Sequence, residues 1–144
     1  MKLTGSCYCR ALLYEVNLNS ADDARTSLCH CRNCKKAFGT NYGLTAKIPK
    51  DAIQYTQGTP KEHAADNGSG TMLFREFCDN CGSFILEYGE PAKPHFRYIA
   101  VGSLDDPEAL PPKGEFFCKS RASWMPEVPG MDVLSELFAA PARL

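Results

Sequence analysis

The chain has 144 residues, 44% hydrophobic and 23% charged, with a formal net charge of −1 at pH 7. That length suits one ordinary domain and is short for two, so residues 1–144 are read as a single domain. A near-neutral balance gives no basis for expecting nucleic acid or an anionic membrane as partner. No apolar run approaches the roughly 20 residues that span a bilayer, and the start, MKLTGSCYC, lacks the apolar core of a secretory signal; a cytoplasmic location is expected.

In chain order, KLTGSCYCRALLYEVNL alternates loosely and carries Leu12, Leu13, Tyr14 and Val16, which predicts a hairpin or edge strand leading away from the first cysteines. Further strands are predicted over 42–46, 53–56, 71–77, 84–88, 96–101 and 115–118. The Asn, Gly and Ser content of AADNGSGT at 64–71 marks a turn or mobile loop. DDPEAL at 105–110 can make one helical turn, and DVLSELF at 132–138 predicts a short amphipathic helix capped by Asp132. Short strands with few short helices imply a mainly β domain of antiparallel strands organised around metal.

Metal is implied by the eight cysteines. Disulfide scaffolds belong mainly to small secreted chains, whereas these cysteines cluster as GSCYC, LCHCRNC and FCDNC, with Cys118 apart. Close C-x-C and C-x2-C pairs suit a small tetrahedral ion, which needs several thiolates from a few tight turns. Cys7 and Cys9 with Cys78 and Cys81 complete a four-cysteine site and leave Cys29, Cys31 and Cys34 as a second. Pairing Cys7 and Cys9 with the 29–34 run would strand Cys78 and Cys81, so four plus three is preferred. In FCDNCG, Gly82 follows the second cysteine of a knuckle, where positive φ often turns amide hydrogens toward sulfur. In extended backbone, residues i and i+2 share a side while i+1 points away. Cys29 and Cys31 can therefore share an ion while His30 is directed elsewhere, to a role behind the ligands or to solvent. The fourth position is then open to water or a substrate sulfur, with His30 as the lesser alternative.

The order G-x-C-x-C, C-H-C-x2-C, F-C-x2-C-G, V-G-S-L-D-D-P and S-R-A-x-W, running from about Gly5 to Trp124, resembles the glutathione-dependent formaldehyde-activating enzymes, whose domain is shared with centromere protein V. The resemblance implies a zinc-centred β-tent with two Zn2+ per chain. Cys7, Cys9, Cys78 and Cys81 would hold a structural ion, and Cys29, Cys31 and Cys34 a second at which chemistry occurs. It departs in having Arg10 where members often have glycine, Ser123 where they have proline, and Glu115 where a histidine is common.

The implied activity is that of a carbon–sulfur lyase, S-hydroxymethylglutathione formation or action on a related small electrophile. Its partners would be a small thiol and an aldehyde, and the protein a monomer or small homo-oligomer. A non-catalytic zinc-stabilised binding module of the same fold is the alternative. Arg32, Lys35 and Lys36 beside the second motif could hold the glutathione carboxylates. Cys118 is expected as a small buried hydrophobe on a strand, His63 and His95 at the surface, and Trp124 in the core.

Overall fold

A computed structural model describes residues 1–134. Eleven strands run in chain order: β1 Lys2–Ser6, β2 Leu13–Asn17, β3 Arg25–Cys29, β4 Gly43–Pro49, β5 Ile53–Gln57, β6 Lys61–Asp66, β7 Met72–Phe77, β8 Phe84–Gly89, β9 Phe96–Ala100, β10 Gly114–Phe116 and β11 Asp132–Leu134. A single α-helix among the described residues, α1, spans Arg32–Phe38, and the remaining helical pieces are short 3-10 turns. The architecture is mainly β, as expected.

Strands β1, β2 and β5 form a small antiparallel sheet, and the other eight form a second sheet in the order β11-β10-β3-β4-β9-β8-β7-β6. Alternation decides which side of the larger sheet is apolar. Ala46 and Ile48 on β4, Ile99 on β9, and Leu86 and Tyr88 on β8 are buried and cluster with Tyr14 and Val16 of β2. Fully burying a side chain such as Ile48, Leu86 or Ile99 stabilises the fold by about 1.5–3 kcal/mol. The intervening residues, Thr45, Lys47, Tyr98, Glu87 and Arg75, are polar and half-buried on the other face.

Several elements depart from the sequence reading. The larger sheet is mixed, because β10 runs parallel to both β3 and β11. The strand expected to reach Cys118 ends at Phe116: Phe117 adopts φ +55°, and Cys118–Ser120 form a 3-10 turn in which Cys118 is half-buried. The helix expected over 132–138 begins instead as β11, paired with β10, and its remaining residues lie outside those described. The 64–71 break is shorter than expected: Lys61–Asp66 pair with β7, and only 67–70 turn, held by Gly68 and Ser69 amides donating to the Asp66 and Asn67 side chains. Trp124 is 70% exposed and takes no part in the core. The hairpin β1–β2 and the turn at Pro107–Ala109 follow the expectation, and His63 and His95 are exposed.

Candidate metal centres

The thiols of Cys7, Cys9, Cys78 and Cys81 lie within 4.8 Å of one another. Sulfur separations of 3.6 Å for Cys7–Cys9 and 3.7 Å for Cys9–Cys78 match the roughly 3.8 Å edge of a tetrahedron built on Zn–S bonds of about 2.3 Å. Two turns shape the site. In the first, Arg10 N donates to Cys7 O at 3.0 Å and Leu12 N to Cys7 Sγ at 3.2 Å, with Arg10 at φ +63°, a region that favours glycine. In the second, Gly82 N donates to Cys78 O at 2.8 Å, and Gly82 has the expected positive φ of +75°. Tyr8 N donates to Ser83 Oγ at 3.0 Å and joins the turns. Hydrogen bonds from the Ser83 side chain and amide draw Cys81 down to about 5, and Asn80 Nδ2, 3.3 Å from Cys9 Sγ, leads the lowering of Cys9. The amide of Cys81 works in the same direction on Cys78, but desolvation and the neighbouring sulfurs push it up to about 11.

The second group, Cys29, Cys31 and Cys34, also lies within 4.8 Å. Cys29 ends β3, and Cys31 caps α1 by accepting from Cys34 N at 3.3 Å. The two thiols on either side of His30 and the one in the first turn of the helix therefore converge. Gly43, opposite Cys29 across the β3–β4 pair, makes room: a Cβ there would stand 2.9 Å from the Phe38 ring and 3.0 Å from Cys34 Cβ.

Three adjacent thiols cannot all ionise without a cation. Hydrogen bonds from Cys29 and Cys34, then from backbone amides, draw Cys31 down to about 2. Cys29 is pushed up to about 12, chiefly by its bond to Cys31. Cys34 is driven above the ordinary thiol range by Cys29, Cys31 and burial. Three thiols gathered within 4.8 Å of one another are the donor set of a thiolate-bound zinc.

His30 does not join the thiols. It is buried and its Nε2 lies 2.9 Å from Glu115 Oε1, while Arg121 Nη2 donates to Glu115 Oε2 at 2.7 Å. His30 N also donates to Phe116 O at 3.0 Å, so the Cys29–Cys31 turn is fastened to β10 through side chain and backbone. Glu115 and Arg121 were not singled out by role from the sequence; the signal was present, since both lie in or just before S-R-A-x-W. Arg32 and Lys36 are exposed on α1, and Lys35 Nζ donates to Ser120 O at 2.5 Å. The three cations thus stand beside the thiols, one of them already tied to the Cys118–Ser120 turn. A cavity of about 520 Å³ borders Cys7, Tyr8, Arg10, Phe84 and Asp105, and of α1 it touches Phe38.

A family model described as glutathione-dependent formaldehyde-activating enzyme matches residues 2–120, most of the chain. The chain belongs to this family. The match covers all seven clustered cysteines together with Glu115. A curated Penicillium rubens protein named "Putative glutathione-dependent formaldehyde-activating enzyme" is 29% identical over 89 residues, 62% of this chain and 44% of that protein. The chain therefore matches less than half the length of that relative. A crystal structure of a Rhodobacter sphaeroides protein shares the fold, with a TM-score of 0.53 at 22% identity over 71% of this chain and 87% of that one. Among the described residues no helix is long and apolar enough to cross a membrane.

Proposed function

We propose that this chain is a zinc-dependent enzyme of the carbon–sulfur lyase type, joining glutathione to formaldehyde to give S-hydroxymethylglutathione and catalysing the reverse. The observation that carries this reading is a group of three convergent thiols, with the histidine between two of them, His30, engaged with Glu115. Family membership and the name of the Penicillium relative support the choice of glutathione and formaldehyde.

In this reading Cys7, Cys9, Cys78 and Cys81 would hold a structural ion, and Cys29, Cys31 and Cys34 a second with one position open to water or to a substrate sulfur. Bound there, zinc would keep a thiol deprotonated at neutral pH while leaving it nucleophilic. The chain's own residues supply position. β3 and the cap of α1 set the three sulfurs, and Glu115 holds His30 so that its imidazole stays clear of the open side. Arg32 and Lys36 are free to offset the carboxylates of glutathione, with Lys35 contributing if it leaves Ser120. The substrate sulfur attacks the aldehyde carbon, a carbon–sulfur bond forms, and the carbonyl electron pair moves to oxygen, which takes up a proton.

Metal analysis combined with X-ray absorption tests the assignment. The expected result is two zinc ions per chain, one with four sulfurs and one with three and a light atom, the second gaining a sulfur when glutathione is added. One zinc in fully loaded protein would remove the four-plus-three division. An unchanged sulfur count with glutathione would remove direct thiol coordination.

A further inference from the structure

The face of the larger sheet turned away from the core carries a polar row that the proposed reaction does not yet use. Arg25, Lys47, Tyr98, Glu87, Arg75 and His63 stand opposite one another on six successive strands, β3, β4, β9, β8, β7 and β6. The outer two, Arg25 and His63, are exposed, while the middle four are half-buried. At the centre Arg75 Nε donates to Glu87 Oε2 at 2.9 Å, with only 20% and 14% of the two side chains exposed.

Arg75 Nη2 is buried and has no hydrogen-bond partner. A guanidinium presents five donors in a rigid fork suited to carboxylates, and here Glu87 takes Nε while Nη2 is left without an acceptor. Of the cations in the row Arg75 alone is both enclosed and short of a partner, Arg25 being exposed. Lys47 Nζ sits 3.9 Å over the Phe96 ring, and Lys35 is engaged with Ser120.

The pair is also close to the three thiols. The Glu87 carboxylate is near enough to act electrostatically on Cys31 and Cys34, while burial raises its own carboxyl above the ordinary range. Asn33, in the first turn of α1, donates through Nδ2 to Asn67 O at 2.7 Å, so the helix bearing Cys34 is fastened to the turn that leads into β7 and Arg75.

We infer that Arg75 is a specificity-determining residue of the thiol site, receiving a carboxylate of the thiol substrate on its unpartnered Nη2 while Glu87 holds the guanidinium in place through Nε. The inference rests on the reading that the three-cysteine site binds a thiol such as glutathione. Glutathione carries one carboxylate on its γ-glutamyl side of the cysteine and one on its glycine side.

The test is calorimetric titration of zinc-loaded wild type, Arg75→Ala and Arg75→Lys with glutathione and with 2-mercaptoethanol, a thiol without a carboxylate. Arg75→Ala should weaken glutathione by about 10- to 100-fold, the range of a lost charge-assisted hydrogen bond, and leave 2-mercaptoethanol within about twofold. Arg75→Lys keeps a charge beside Glu87 but not the fork, so it should fold and lose glutathione affinity to an intermediate extent. Cysteinylglycine lacks the γ-glutamyl carboxylate and glutathione amidated at its glycine lacks the other, and the one whose binding ignores Arg75→Ala identifies which end Arg75 holds. Equal losses for glutathione and 2-mercaptoethanol would make Arg75 merely structural and overturn the inference. Unchanged glutathione affinity in a folded Arg75 variant with both zinc ions would overturn it while the thiol reading stands. Wild type that binds glutathione no better than 2-mercaptoethanol would overturn both.

Discussion

Replacing Glu115 by Ala tests whether the Cys29–Cys31 turn is held from behind. Glu115 is 2% exposed and accepts from His30 Nε2 at 2.9 Å and from Arg121 Nη2 at 2.7 Å. His30 Nδ1 and Arg121 Nε already lack partners, so the alanine variant would leave two buried donor groups with no acceptor. Removing one partner from a buried charged network costs about 3–5 kcal/mol, a large part of the roughly 5–15 kcal/mol that stabilises a domain. At about 3 °C per kcal/mol for a chain of this size, the zinc-loaded variant should melt about 10–15 °C below wild type. Glu115→Gln keeps one acceptor oxygen and should cost about 1–3 kcal/mol. Circular dichroism melts measure the difference, and a chromogenic chelator measures metal release, which should quicken at the three-cysteine site alone because His30 lies between two of its sulfurs. Equal melting temperatures for Glu115→Ala and Glu115→Gln, or a fall of less than about 3 °C in the former, would refute the reasoning.

Three further outcomes are expected. Gly43→Ala drives a Cβ against the Phe38 ring and Cys34 Cβ, so it should cost about 1–3 kcal/mol by overpacking and lower zinc occupancy at the three-cysteine site, read by denaturant unfolding and metal content. Cys78→Ser should unfold the chain, since its site ties the first hairpin to the middle of the sequence and structural zinc contributes on the order of 10 kcal/mol; Cys34→Ser should stay folded with one zinc and no glutathione-dependent turnover, and equal unfolding of the two by circular dichroism would contradict the division of roles. Burial raises the Glu115 carboxyl, but hydrogen bonds from His30 and Arg121 outweigh it and leave it below its ordinary 4.5; its stabilisation is therefore present above that value and lost as pH falls through the depressed one, so wild type should lose more stability than Glu115→Gln between about pH 5 and about pH 3.

The cysteine groups were legible because their chemistry is local: alternation puts Cys29 and Cys31 on one side, and Gly82 follows its knuckle with the positive φ the turn requires. Strands β4 and β8 were legible for the same reason, since an apolar residue at every second position marks a strand with one buried face. Where the deciding contact is remote, the sequence is silent. KEHAAD has no apolar alternation and becomes β6 only because β7 offers it a partner. RNCKKAF is too short to show a helical stripe; its cap is a cysteine, an unusual choice, and the one conventional signal is Gly39, which ends the helix at φ +65°. DVL turns to strand because β10 presents a free edge, a fact belonging to a segment eighteen residues upstream by register. The Arg75–Glu87 pair is the extreme case. Twelve residues separate the two in sequence, and their neighbours Tyr98 and Lys47 come from strands that no local pattern aligns. Six strands must be in register before these side chains form one row. A residue that selects the substrate can therefore look, in the sequence, like any other charge on the polar side of a strand.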